Sequence, residues 1–336
     1  MRESNVDTLR WWHPRRYPFA VGVLLTTPVT AALAAYCIYL ERNYGHSLFL
    51  GLPAASGFVS SLISIACGAR PQLVSGAIVG LCTGIFVFIF FLLAGLEGLF
   101  CMVMALPTWM PMAIFGGVAA VGLSKGLSRL RRLLLILGAI LLVPIASAIE
   151  TRTSGEPALR AVSSEVVIDA IPALVWEEVI EFRDIPEPTE WFFRLGIAYP
   201  IRARIEGEGV GAVRYCEFDT GSFIEPITIW DEPRELAFRV ASSPAPMTEL
   251  SFHERVHAPH LEGFFESERG RFQLIRLEDG RTRLIGTTWY RNQMRPGGYW
   301  RLWSDAIIHR IHERVLQHIK TCVEERPVAA RSPRTS

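Results

Sequence analysis

Long uncharged runs dominate the first 150 residues, and shorter alternating or helical patterns fill the rest. Phe19 to Leu40 is 22 residues without a charge, enough to cross a bilayer as a helix. Leu48 to Cys67 is a second run of 20, rich in Gly, Ala and Ser, which suits close helix packing. Leu73 to Leu96 is a third, and Gly98 to Leu123 a fourth interrupted by Pro107 and Pro111. Leu133 to Ile149 is a fifth, of 17 residues. The pattern predicts an α-helical membrane domain of about five transmembrane helices over 19–150, preceded by a basic and aromatic segment over 1–18. The first run is long for a cleaved signal peptide, and further spans follow it.

Beyond a polar linker over 151–162, with Ser154-Gly155 and Pro157, the period changes. Ser163 to Ala170 reads as a strand with Val166 and Ile168 on one face. Pro172 opens a short helix, Ala173 to Glu181, and a second lies near Thr189 to Leu195. The pattern predicts six strands after them: Tyr199 to Glu206, Ala212 to Phe218, Phe223 to Asp231, Glu235 to Ser242, Phe264 to Leu277 and Arg281 to Tyr290. Gly207, Gly209, Gly211, Gly221, Pro233 and Asp279-Gly280 mark the turns. From Tyr299 to Lys320 the spacing becomes helical without interruption. Trp300, Ile307, Ile308, Ile311, Val315 and Ile319 fall on one arc, so this long helix covers something apolar. The folded second half is placed at 163–325, with a disordered tail over 326–336.

Charge divides the chain in the same place. Residues 1–150 carry a net +5 and residues 151–336 a net −4. No Lys/Arg cluster with interleaved aromatics appears in the second half, so no nucleic-acid partner is expected. The basic N-terminus, the Arg70 loop and the Lys125 to Arg132 loop fall on one side of five spans. By the positive-inside rule that side is the cytoplasm, the setting being a plasma (inner) membrane, which puts everything after Glu150 outside it. Glu97 is the single acidic residue between Glu41 and Glu150. Its place in Gly95-Leu96-Glu97-Gly98 favours a turn at the membrane surface over a buried, working carboxylate. Six Cys show no metal spacing, and whether Cys216 and Cys322 meet is left open.

The order strand, two short helices, six strands and a long terminal helix resembles the START-like superfamily, also called SRPBCC, which includes Bet v 1 and the polyketide cyclases. The local signature is Val166-Val167-Ile168-Asp169-Ala170-Ile171-Pro172-Ala173-Leu174-Val175-Trp176. It is similar to that family's opening strand, Pro-containing turn and Trp-bearing helix, over about Ser163 to Val323. The resemblance implies an α+β helix-grip domain: a curved antiparallel sheet around the C-terminal helix, with a cavity between them. It implies a hydrophobic or amphiphilic, lipid-like ligand there, with membrane lipids as partners and no cofactor. A cyclase or hydrolase activity in the same cavity, or a regulatory role towards the membrane part, is the alternative.

Several residues then become candidates. Trp230, Phe265, Trp289, Trp300, Ile307 and Ile311 are the expected ligand-binding wall. His253 and His257, with Glu266 and Glu268 facing one side of a strand, are the acid/base candidates. Against them stand a solvated histidine loop and paired surface carboxylates. On the long helix Asp305, His309 and His312 form a second stripe between Leu302 and Leu316. The stripe reads as a solvated face with an ion-paired histidine, or as a docking surface. Were His260 to join His309 and His312, three nitrogens could hold zinc; no metal is otherwise expected.

Overall fold

The structure, a computed structural model, describes residues 17–251 and 258–326. Most of the basic N-terminal segment and the tail lie outside the described residues, as do His253 and His257. The chain forms two compact units. One comprises Met1–Gly155 with Glu249–Pro259, the other Glu156–Thr248 with His260–Ser336.

The first unit is helical. Its helices are α1 (Pro18–Ala35, extended by a π-helical turn over Tyr36–Leu40), α2 (Leu52–Ala66), α3 (Leu73–Ala94), α4 (Leu99–Ser124) and α5 (Arg129–Thr153). Among the described residues, five helices are long and apolar enough to cross a membrane. Glycine lets α2 and α4 meet backbone to backbone. A Cβ on Gly57 would fall 1.9 Å from the Ala113 carbonyl, and one on Gly116 the same distance from that of Ala54. In lipid, where apolar surface gains nothing by leaving solvent, such contact is what holds helices together. The far end of α5 is pinned by polar bonds. The Glu150 carboxylate accepts from the backbone N–H of His46 at 2.7 Å and of Ser47 at 3.0 Å, ahead of α2. An acid at a helix start satisfies otherwise orphaned N–H groups.

Glu97 does lie in a turn, between the left-handed Gly95 that ends α3 and Gly98 ahead of α4. Within the protein that turn is closed over. The side chain is buried, and Tyr44 from the α1–α2 connection donates its hydroxyl to Oε1 at 2.9 Å.

The second unit is a helix-grip fold. Its strands are β1 (Arg160–Ile168), β2 (Pro200–Glu206), β3 (Val213–Phe218), β4 (Gly221–Asp231), β5 (Glu235–Arg239), β6 (Phe265–Arg276) and β7 (Thr282–Asn292). They form one antiparallel sheet in the order β1-β7-β6-β5-β4-β3-β2. Two short helices, α6 (Pro172–Ile180) and α7 (Trp191–Arg194), follow β1, and α8 (Gly297–Glu324) closes the unit. At 1.5 Å per residue the 28 residues of α8 run about 42 Å along the curled sheet. The expected arc holds the helix down: Ile308, Val315 and Ile319 are buried, joined by Leu316 and Val323. Against Val315, Leu316, Ile319 and Val323 pack Ile168, Trp176, Val179, Leu236 and Leu284, while Ile308 packs with Val162 and Tyr290. The linker is shorter than expected, because α5 continues to Thr153 and β1 begins at Arg160. All six cysteines are free, so Cys216 and Cys322 do not pair.

Candidate functional site

Between the concave sheet and α8 lies a cavity of about 150 Å³. That is roughly ten times the space one water needs, so it admits a small organic molecule. Its walls are mainly aromatic and aliphatic: Phe218, Phe223, Phe238 and Phe272 from the sheet, Ile307 and Ile311 from α8.

The most deeply buried polar part of this wall is an ion pair. Arg214 on β3 stands directly opposite Glu225 on β4 in the strand register, and its Nη1 donates to the Glu225 carboxylate. The two side chains are only 2% and 7% exposed. Alternation puts Arg214, Cys216 and Phe218 on one face of β3, and Phe223, Glu225 and Ile227 on the matching face of β4. The guanidinium lies over the rings of Phe182, Phe238 and Phe272 at 5.5–5.6 Å. Its Nε also donates to the Ile180 carbonyl, the last residue of α6, at 3.2 Å. A cation there complements the negative end of a helix. Burial raises the Glu225 carboxyl above its usual range, and Arg214 opposes that rise. The adjacent Cys216 thiol is pushed up to about 12, chiefly by burial, so it stays protonated and is a poor nucleophile.

Across the cavity His312 reaches in from α8. Its Nε2 lies 2.8 Å from the Thr288 hydroxyl and its Nδ1 3.2 Å from that of Ser164. His309 Nδ1 lies 2.7 Å from the same Ser164 Oγ. Burial first, and the neighbouring His309 second, lower His312 to about 4, so the ring is neutral near pH 7. One turn back, Asp305 accepts a 2.6 Å hydrogen bond from Tyr290. The Asp305, His309, His312 stripe therefore borders β1 and β7: Asp305 and His312 are half-buried, Asp305 is engaged by tyrosine, and His309 stays exposed to solvent. Leu316 is buried beside it while Leu302 is exposed.

The remaining candidates are dispersed. Phe265, Ile307 and Ile311 line the cavity. Trp230 instead packs edge-on against Trp176 at 5.6 Å, and Trp300 is buried at the start of α8 against Tyr299. Trp289 is on the convex face. Its neighbours Thr288 and Tyr290 both bond to α8, and consecutive strand residues face opposite ways. There it lies beneath the guanidinium groups of Arg269 and Arg271 at 4.6 and 5.3 Å. Glu266 and Glu268 do share a side, but it is not the cavity side. They line a separate groove with Arg291 and Gln293, where Arg291 pairs with Glu268. His260 is buried in a short turn, Pro259–Leu261. Among the described residues it forms no metal-binding group with His309 and His312.

No protein-family model matches the chain. No curated protein matches it. Solved structures similar to about half of it include the Zhui aromatase/cyclase from Streptomyces sp. R1128, at 18% identity, 51% of this chain, 98% of that one and TM-score 0.36. Norcoclaurine synthase from Thalictrum flavum matches at 9% identity over 52% of this chain and 99% of that one, TM-score 0.33. The Aha1 dimer from Colwellia psychrerythraea matches at 15% identity over 49% and 97%, TM-score 0.30.

Proposed function

We propose that the helix-grip unit binds a hydrophobic or amphiphilic small molecule of lipid-like character, and that the five helices anchor it in a membrane. The observation that carries this reading is the composition of the cavity. Its walls are largely phenylalanine and isoleucine, and its most deeply buried polar group is the neutralised pair Arg214 with Glu225, with His312 and Thr288 on the side of α8. Apolar area removed from water supplies the affinity, at about 25 cal/mol per Å², and the pair orients a polar head. A tether in the bilayer shortens the path for a poorly soluble ligand.

Binding is tested on the full chain in detergent by titrating cis-parinaric acid and by mass spectrometry of solvent extracts. Wild type should retain bound molecules that Ile311→Trp, which fills the cavity, loses at least about tenfold, equivalent to about 1.4 kcal/mol. Equal retention and equal titration curves in a folded variant would overturn the assignment. Partition into detergent affects both proteins alike.

The reading also places the anchor in a plasma or inner membrane with the helix-grip unit outside the cytoplasm. Support comes from the three basic stretches on one side of five spans. Alkaline phosphatase fused after Arg326 in a bacterial host should be active, and a fluorescent protein fused there should be dark. The reverse result would require an even number of crossings.

A further inference from the structure

In the helical unit, three side chains able to ligate a metal meet at the turn before α4. Glu97 comes from the turn and Cys101 from the first turn of α4. Glu249 arrives from the stretch Glu249–Pro259, which belongs with this unit. One donor atom of each lies within 4.8 Å of the others. Cys101 Sγ lies 2.7 Å from Glu249 Oε1, and Tyr44 holds Oε1 of Glu97 at 2.9 Å. Glu97 is 5% exposed, and the Cys101–Glu249 contact is partly buried.

The arrangement is built rather than incidental. The Leu99 N–H donates to the Leu250 carbonyl at 2.9 Å and ties the second segment to the start of α4. A Cβ on Gly98 would fall 1.5 Å from Glu249 Oε2, so a residue without a side chain is what lets that carboxylate reach the thiol.

Two carboxylates and an ionisable thiol brought together out of water repel one another once ionised. The strain is relieved by a proton or by a cation held among them. The donor set separates the possible cations. Magnesium and calcium take oxygen ligands, whereas a thiolate with carboxylates suits zinc. Zinc at about 2.0–2.3 Å from each donor would set tetrahedral ligands roughly 3.3–3.8 Å apart. The Cys101–Glu249 pair, now at 2.7 Å, must therefore open to admit the ion, while donors already within 4.8 Å of one another need shift little.

We propose that Glu97, Cys101 and Glu249 form a site for a zinc-class divalent ion, with Tyr44 orienting Glu97 from outside the ligand set. The Cys101–S–metal bond forms as the thiol proton leaves to solvent. The ion clips the Glu249–Leu250 segment to the head of α4.

The full chain, purified in detergent without chelator, is assayed for metal. About one equivalent of zinc is expected, falling below about a tenth in Cys101→Ser and in Glu249→Gln. Cobalt exchanged into wild type should give a thiolate-to-cobalt charge-transfer band. Cys101→Ser should lose the band, and Cys82→Ser, on α3, should keep it. Where the variants fail to fold, wild type alone decides: added zinc should shield Cys101 from iodoacetamide. Folded wild type that stays metal-free after dialysis against zinc, with no band and unshielded Cys101, overturns the proposal.

Discussion

Replacing Arg214 by Met is expected to destabilise the helix-grip unit by about 3–5 kcal/mol, the cost of leaving one member of a buried ion pair alone. The substitution leaves Glu225 in an apolar pocket, where it must take up a proton or draw in water. It also removes the cation from the three rings around it and from the Ile180 carbonyl at the end of α6. The double variant Arg214→Met, Glu225→Leu should recover most of the loss, because an apolar pair of similar volume needs no desolvation. Chemical denaturation of the full chain in detergent, followed by tryptophan fluorescence, reads both values. A single variant as stable as wild type would mean that the pair is hydrated rather than sealed in. The double variant has a second use. It keeps the apolar walls and removes the polar contact, so a loss of ligand retention with restored stability would assign head recognition to this pair.

The hydropathy pattern sets strands at Ala212 to Phe218 and Phe223 to Asp231 but does not fix the turn between them, and so not the pairing of Arg214 with Glu225. In the structure β4 begins at Gly221, whose φ of +140° suits glycine, and Phe218 pairs with Gly221. Once that turn is set at Asp219-Thr220, alternation brings Arg214 opposite Glu225 and turns both inward with Cys216 and Phe223. The long-helix arc was legible because five turns of 3.6-residue spacing average out any single exception. Trp289 illustrates the opposite failure. On composition it reads as cavity wall, yet its neighbours Thr288 and Tyr290 both bond to α8, and consecutive strand residues face opposite ways. The bulge between Ser267 and Arg269 shifts the register beside Glu268, and irregularities of that kind leave no mark in hydropathy. Glu97, Cys101 and Glu249 lay beyond sequence reading altogether, since nothing periodic links a turn to a segment some 150 residues on.

Acid should weaken the fold through His312. Its ring titrates near 4 in the folded chain and near 6.5 when free, so the folded state binds fewer protons between those values. Stability contributed by the neutral ring is therefore complete above about pH 6.5 and is lost as pH falls towards 4. The slope approaches about 1.4 kcal/mol per pH unit and the sum about 3 kcal/mol. The cause is burial first, which disfavours the charged ring, and second the like charge that His309 adds beside any imidazolium. Glu225 works in the other direction, since a raised carboxyl binds its proton more readily in the folded state and gains stability on acidification. Wild type thus reports a difference, and the comparison with His312→Gln isolates the histidine. Denaturation series from pH 7.5 to about 4 should show a shallower acid limb in His312→Gln, which retains an amide able to meet Thr288 but cannot take a proton. Superimposable acid limbs in the two proteins would show that His312 is already solvated and free to titrate in the folded chain.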